Sequence, residues 1–203
     1  MQGISWQRVT LRGQANHAGT TPIEHRRDAG LAAATIVAGL RRLAVDKGEG
    51  QVATVGSVRF EPDLVNVVPR RATLTVDLRN PVESRLREAE RAAAALVADA
   101  AAAEGVTFET ESLARFEPVD FDPDVIDLVE SVAGELGHSC RRIVSGAGHD
   151  AQMLARVCPT GMVFVPSRGG VSHNPSEHTD AEQLVAGADV LLHTLLRLAE
   201  RAS

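Results

Sequence analysis

Ala72-Thr73-Leu74-Thr75-Val76-Asp77-Leu78-Arg79 alternates without a break. Leu74, Val76 and Leu78 point one way; Thr73, Thr75, Asp77 and Arg79 point the other. That period of two is the signature of a strand with one buried face. Asn80-Pro81-Val82-Glu83 follows at once. It reads as a helix start: Asn as the cap, Pro in the first turn, Glu at the third position. An Ala-rich helix then runs to about Ala103, where Gly105 ends it.

Working outward, the same grammar repeats. Trp6 to Arg12 is a strand with Val9 and Leu11 on one face, stopped by Gly13. Asp28 to Leu43 is an amphipathic helix, with Leu31, Ile36, Val37, Leu40 and Leu43 near helical spacing and Asp28 at its positive end. Gln51 to Phe60 is a strand with Val52, Val58 and Phe60 expected on one face. Val106 to Leu113 is the last strand. The order βαββαβ predicts a ferredoxin-like unit: an antiparallel sheet covered on one face by two helices.

Phe116 to Pro123 holds two prolines and three acidic residues, which is boundary chemistry. Residues 1–116 are therefore expected to form one domain and 117–203 a second region. In that region Asp124 to Leu136 reads as a helix capped by Gly137, and His149 to Val157 as a short helix. Met162 to Pro166 reads as a buried strand of the parallel kind. Asp180 to Arg201 reads as an amphipathic helix with Leu184, Val185, Ala188, Leu191, Leu192, Leu195 and Leu198 on its apolar face. One strand is not a sheet, so the region is expected to be the tail of an α/β domain with further strands elsewhere. The class is α+β.

Composition excludes several functions. The 203 residues carry a net charge of −6, with Lys47 the only lysine and the arginines dispersed, so no basic surface suits nucleic acid. No apolar run approaches the length of a membrane span. Met1 to Arg8 has no apolar signal core, and the strand pattern starts almost at once, so more chain upstream is expected. Cys140 and Cys158 lack metal-knuckle spacing and are expected to be reduced, partly buried thiols of a cytoplasmic protein.

Three polar loops each present a histidine beside glycine: Gly13-Gln14-Ala15-Asn16-His17-Ala18-Gly19-Thr20-Thr21-Pro22, Gly146-Ala147-Gly148-His149-Asp150-Ala151, and Gly169-Gly170-Val171-Ser172-His173-Asn174-Pro175-Ser176-Glu177. Imidazole can ligate metal or polarise a carbonyl. A single loop histidine is more simply a solvated one, which is the reading for His25, His138, His178 and His193.

Together with "RRDA", "LVNVVP", "DLRN" and "MVFVPS", these loops give the chain a close resemblance, nearly end to end, to the carbamoylase and allantoate amidohydrolase branch of the M20-like metallo-amidohydrolases. The resemblance implies a βαββαβ lid that mediates homodimerisation, inserted into a zinc-peptidase-like catalytic α/β domain. Residues 1–116 match the lid and 117–203 the end of the catalytic domain. It implies hydrolysis of C–N bonds in N-carbamoyl amino acids or allantoate-like ureido acids, with a dinuclear Zn or Mn centre in the intact enzyme. Most metal ligands and the general base belong to a segment that these residues do not match, so weak or no metal binding and no turnover are expected of this chain alone.

Residue roles follow from the same resemblance. His17 matches the lid histidine that reaches a neighbouring subunit's site to steady an oxyanion. Asn66 and Arg79 match substrate-holding residues, Gly169 and Gly170 backbone contacts to the substrate, and His173 a metal ligand. His149 and Asp150 match a pocket-lining motif, with a helix cap as the alternative. For Arg79 the alternative is a sheet-face arginine paired with Asp77 or a glutamate. Two other functions stay open: a non-catalytic dimerisation and substrate-gripping module, and an aminoacylase or dipeptidase relative.

Overall fold

A computed structural model describes residues 1–201. They fall into two compact units: Met1–Val119 with Gly146–Gly148, and Asp120–Ser145 with the chain from His149 onward.

In the first unit, β1 (Gly3–Arg12), β3 (Val52–Glu61), β5 (Arg71–Asn80) and β6 (Thr107–Phe116) form an antiparallel sheet in the order β3-β5-β1-β6. Helices α1 (Ala29–Lys47) and α2 (Glu83–Ala103) pack on it. This is the expected βαββαβ plan. Alternation in β5 is complete: Ala72, Leu74, Val76, Leu78 and Asn80 are buried and their neighbours half-buried. The first four meet Val9 and Leu11 of β1, Ile36 and Leu40 of α1, and Leu86, Ala93 and Val97 of α2 in one apolar core. Small residues let the helices approach. A methyl group at Gly39 would lie 2.6 Å from the end of the Leu96 side chain, which would have to shift.

Several local expectations are corrected. Asp28 does cap α1, its carboxylate accepting from the N–H groups of Gly30 and Leu31, but Leu31 and Val37 face outward. Alanines 29, 32 and 33 take buried positions beside Ile36 and Leu40. Asn80 is not a cap. It ends β5 fully buried, donating from Nδ2 to Gln51 and accepting from the N–H of Val82. Val52, Val58 and Phe60 do not share a face. Val52 lies opposite Arg79, whereas Val58 and Phe60 lie opposite Leu74 and Ala72, because the register slips between Thr54 and Ser57. One extra residue at a bulge turns every later side chain to the other face. Two short strands went unread: β2 (Asn16–His17) and β4 (Val67–Val68) pair with each other outside the main sheet.

In the second unit, α3 (Pro123–Glu135) starts on Asp122, whose carboxylate accepts from Asp124 and Val125, and Gly137 follows its end at φ +78°. The helix α5 (Ala181–Arg201) packs on α3 through Val190 and Leu198 against Leu128, Val132 and Ala133. Leu198 belongs to the expected stripe, Val190 does not, and the rest of that stripe turns outward. Leu184, Val185, Leu191, Leu192 and Leu195 are exposed. The short helix α4 covers only Ala151–Leu154. Met162–Pro166 is not a strand, since no neighbouring strand pairs with it among the described residues. Cys140 and Cys158 are both exposed rather than partly buried. No described helix is long and apolar enough to cross a membrane.

Candidate functional site

The first histidine loop leaves the sheet where β1 ends. Gly13 N–H bonds Arg70 O at 2.7 Å and Gln14 N–H bonds Arg27 O at 3.0 Å. Asn16 and His17 then pair with Val68 and Val67. Ala18 N–H bonds Asn66 O at 2.9 Å. Residues 49 positions apart in sequence, His17 and Asn66, thus stand on one two-stranded ribbon, and both are exposed. Arg26 clamps the loop from below, with Nη2 on Ala18 O at 2.6 Å and Nε on Thr21 O at 3.1 Å. The buried Thr21 hydroxyl donates to His17 O at 2.7 Å.

Arg79 lies elsewhere. It pairs with Ile4 and Val52, at the end of β5 opposite Arg71, where the ribbon departs. Eight residues of strand separate the two positions by roughly 25 Å. The structure therefore brings His17 and Asn66 together and sets Arg79 apart. Nε and Nη2 of Arg79 grip the Asp77 carboxylate as a fork, the latter at 2.7 Å, and Nη1 donates to Gly146 O at 2.6 Å. Its guanidinium carbon is 6.0 Å from the Trp6 ring centroid, within cation–π range. The hydrogen bond to Asp77 raises the Arg79 pKa further, against the pull of burial. The pairing with Asp77 expected of a sheet-face arginine is present. Each terminal nitrogen still keeps a second hydrogen for another acceptor.

The other candidates sit in the second unit. His149 is the cap at α4: its Nδ1 accepts from Ala151 N–H at 3.0 Å, while the Asp150 side chain makes no capping bond. Gly169 and Gly170 take φ of +66° and +69°, a conformation that glycine adopts without strain. The Gly170 amide is committed to Ser167 O. His173 is exposed at φ +55°, its own N–H held by the Glu177 carboxylate at 2.8 Å. Among the described residues no three His, Cys, Asp or Glu side chains converge as a metal site would require. A structural or catalytic zinc needs three or four such ligands, so these residues by themselves do not fit one. One surface concavity of the second unit is lined by Asp127, Leu128 and Arg197, and one of the first unit by Arg12, Gly13, Arg70 and Arg71 at the root of the His17 loop.

Comparison with known proteins gives the family. Residues 14–197 match the family model described as peptidase family M20/M25/M40. The chain is 40% identical over 199 residues to an N-carbamoyl-L-amino-acid amidohydrolase of Rhizobium meliloti, covering 98% of this chain and 48% of the relative. It is 38% identical over 191 residues to an allantoate amidohydrolase of Bacillus subtilis, covering 94% of this chain and 46% of that one. The crystal structure of a hydantoinase/carbamoylase family amidase from Burkholderia vietnamiensis superposes with a TM-score of 0.93 at 42% identity, over 97% of this chain and 48% of its own. The chain spans about half the length of these relatives. It belongs to the M20/M25/M40 peptidase family, in the branch of the N-carbamoyl-amino-acid and allantoate amidohydrolases.

Proposed function

We propose that this chain is the lid and the closing part of the catalytic domain of an amidohydrolase that cleaves C–N bonds in N-carbamoyl amino acids or allantoate-like ureido acids. The lid covers residues 1–116 and the catalytic part 117–203; a break between compact units at Val119 supports a boundary there. The observation that carries the reading is the ribbon that puts His17 beside Asn66. It builds a polar, exposed edge from two stretches whose residue types suit a carbonyl: an imidazole and a carboxamide. Arg79 supplies the matching grip for the substrate's carboxylate, through the two hydrogens that Asp77 and Gly146 leave on its terminal nitrogens.

A small ureido acid cannot bridge roughly 25 Å of strand. If both groups hold one substrate, they come from two copies of the chain, which supports a homodimer through the lid. The relatives' names support the substrate class. Divalent metal belongs to the complete site, with His173 as one ligand. Since the described residues do not assemble the ligand set, the chain alone is expected to be inert. That same observation favours a second reading, in which the chain serves as a non-catalytic dimerisation and substrate-gripping module.

Metal content, mass in solution and hydrolysis of an N-carbamoyl amino acid, measured on one purified sample, test the proposal. A dimeric, metal-poor and inactive chain that still binds the ureido acid is the expected result. Turnover with metal added overturns the claim of inertness, and failure to bind any ureido acid overturns the substrate class.

A further inference from the structure

The main chain just after His17 closes back onto its ring. Gly19 N–H donates to Nδ1 at 3.0 Å, and Thr20 N–H, shared with His17 O at 3.3 Å, donates to the same ring atom at 3.2 Å. A ring nitrogen offers an in-plane lone pair only when it carries no hydrogen. Turning the ring over would aim both amides at a C–H, so the hydrogen bonds themselves settle its orientation. The donors are not free to drift. Ala18, the residue before Gly19, is tied on both sides, by its N–H to Asn66 and by its carbonyl to Arg26. Thr21, after Thr20, is tied by its hydroxyl to His17 O and by its own carbonyl to Arg26.

A second observation concerns space. A methyl group added at Gly19 would lie 3.3 Å from Cε1 of His17 and 3.5 Å from Nδ1. Position 19 therefore both donates to the ring and leaves the gap in which the ring lies. Any side chain there pushes the imidazole away from its donor.

We infer that the amides of Gly19 and Thr20 are positioning groups that hold neutral His17 as the single tautomer with hydrogen on Nε2. Nδ1 is turned inward to the loop, and Nε2, across the ring, is left to donate outward. Such a ring is a ready hydrogen-bond donor to an oxygen that gains negative charge, and it costs no reorganisation when that charge appears. It is unsuited to bind a cation or accept a proton through Nε2, because both need the lone pair that the hydrogen occupies. The use of this donor in hydrolysis rests on the function proposed above; the tautomer does not.

Nitrogen-15 NMR of the full chain with labelled histidine tests it, His17 being assigned by the signal lost in His17→Gln. The expected spectrum shows Nδ1 without hydrogen, Nε2 with hydrogen, no averaging between the two tautomers, and a coupling across the hydrogen bond from the Gly19 amide to Nδ1. Gly19→Ala weakens that coupling and brings in the second tautomer. An averaged ring in the wild-type chain, or hydrogen on Nδ1, overturns the inference whether or not Gly19→Ala folds. A locked ring on a chain that binds no ureido acid sinks the functional proposal and leaves the lock standing, so the two failures are separable.

Discussion

At the scale of single residues, Gly13 is a position where a side chain has nowhere to go. Gly13 marks the turn from β1 into the His17 loop. A methyl group there would meet the carbonyl oxygen of Arg27 at 2.1 Å, and that oxygen is backbone, already bonded to Gln14. Nothing flexible can yield. Gly13→Ala is expected to destabilise the first unit by ~2 kcal/mol, the range of an overpacked site, and to displace the His17 ribbon. Urea unfolding followed by Trp6 fluorescence checks the first part. An unchanged midpoint would mean that the loop shifts freely, which its bonds to Arg70 and Arg27 argue against. The sequence made Gly13 visible as a stop signal but could not show what pressed on it. Asp28 was legible for a different reason: a carboxylate ahead of an apolar helix caps it from within two or three residues, so local order is enough. Asn80 was misread by the same logic. Its partner Gln51 is 29 residues away, and no local pattern announces a buried cross-strand amide.

Among secondary-structure elements, legibility followed the buried face. The strand β5 is buried against helices on one side, so its alternation survived in the sequence. In β3 a slip between Thr54 and Ser57 broke the period, and Gly56 inside the run was its only trace. The pairing of β2 with β4 has two residues on each side, too few to leave any period. That short ribbon is nevertheless what joins His17 to Asn66, so the site's geometry was hidden where its residues were plain. The link between α2 and β6 gives an element-scale prediction. Arg115 of β6 donates to Glu83 at 2.7 Å and to Glu90 at 2.7 Å, and Arg87 also donates to Glu83. Burial pushes the Glu83 carboxyl up, but hydrogen bonds from Arg115 and Arg87 pull harder and leave its pKa below the ordinary carboxylate value. A folded value below the unfolded one means that the stabilisation is complete above the ordinary carboxylate range. It is lost as pH falls through the lowered folded value. Glu83→Gln is therefore expected to cost about 1 kcal/mol at neutral pH, the upper end for partly exposed pairs. That cost should shrink on acidification. Unfolding midpoints of the two proteins across the acid range check this; a constant gap would mean that the charge plays no part.

Over the whole molecule the two units differ in how they bury apolar surface, each judged alone. The first closes a core around Leu11, Ile36, Leu40, Leu74, Leu78 and Leu86, all at 1% exposure or less. In the second, α3 and α5 meet over Leu128, Val132, Ala133 and Val190, while Leu184, Leu191, Leu192 and Leu195 of α5 stay about half exposed. Burial scales with apolar area removed from water, so the same substitution should read differently in the two places. Leu74→Ala is expected to cost ~3 kcal/mol, as for a filled core that cannot collapse. Leu192→Ala is expected to cost less than about 1 kcal/mol, since a half-exposed side chain has little transfer energy to lose. Hydrogen exchange gives the same contrast without mutation. Amides of β1, β5, α1 and α2 should exchange only when the first unit opens as a whole. Those of Met162–Pro166, which have no strand partner among the described residues, should exchange almost as fast as an unfolded chain, with α5 in between. Equal protection across β5 and Met162–Pro166, or a Leu192→Ala cost matching that of Leu74→Ala, would show that α5 and the segment before it are covered in solution.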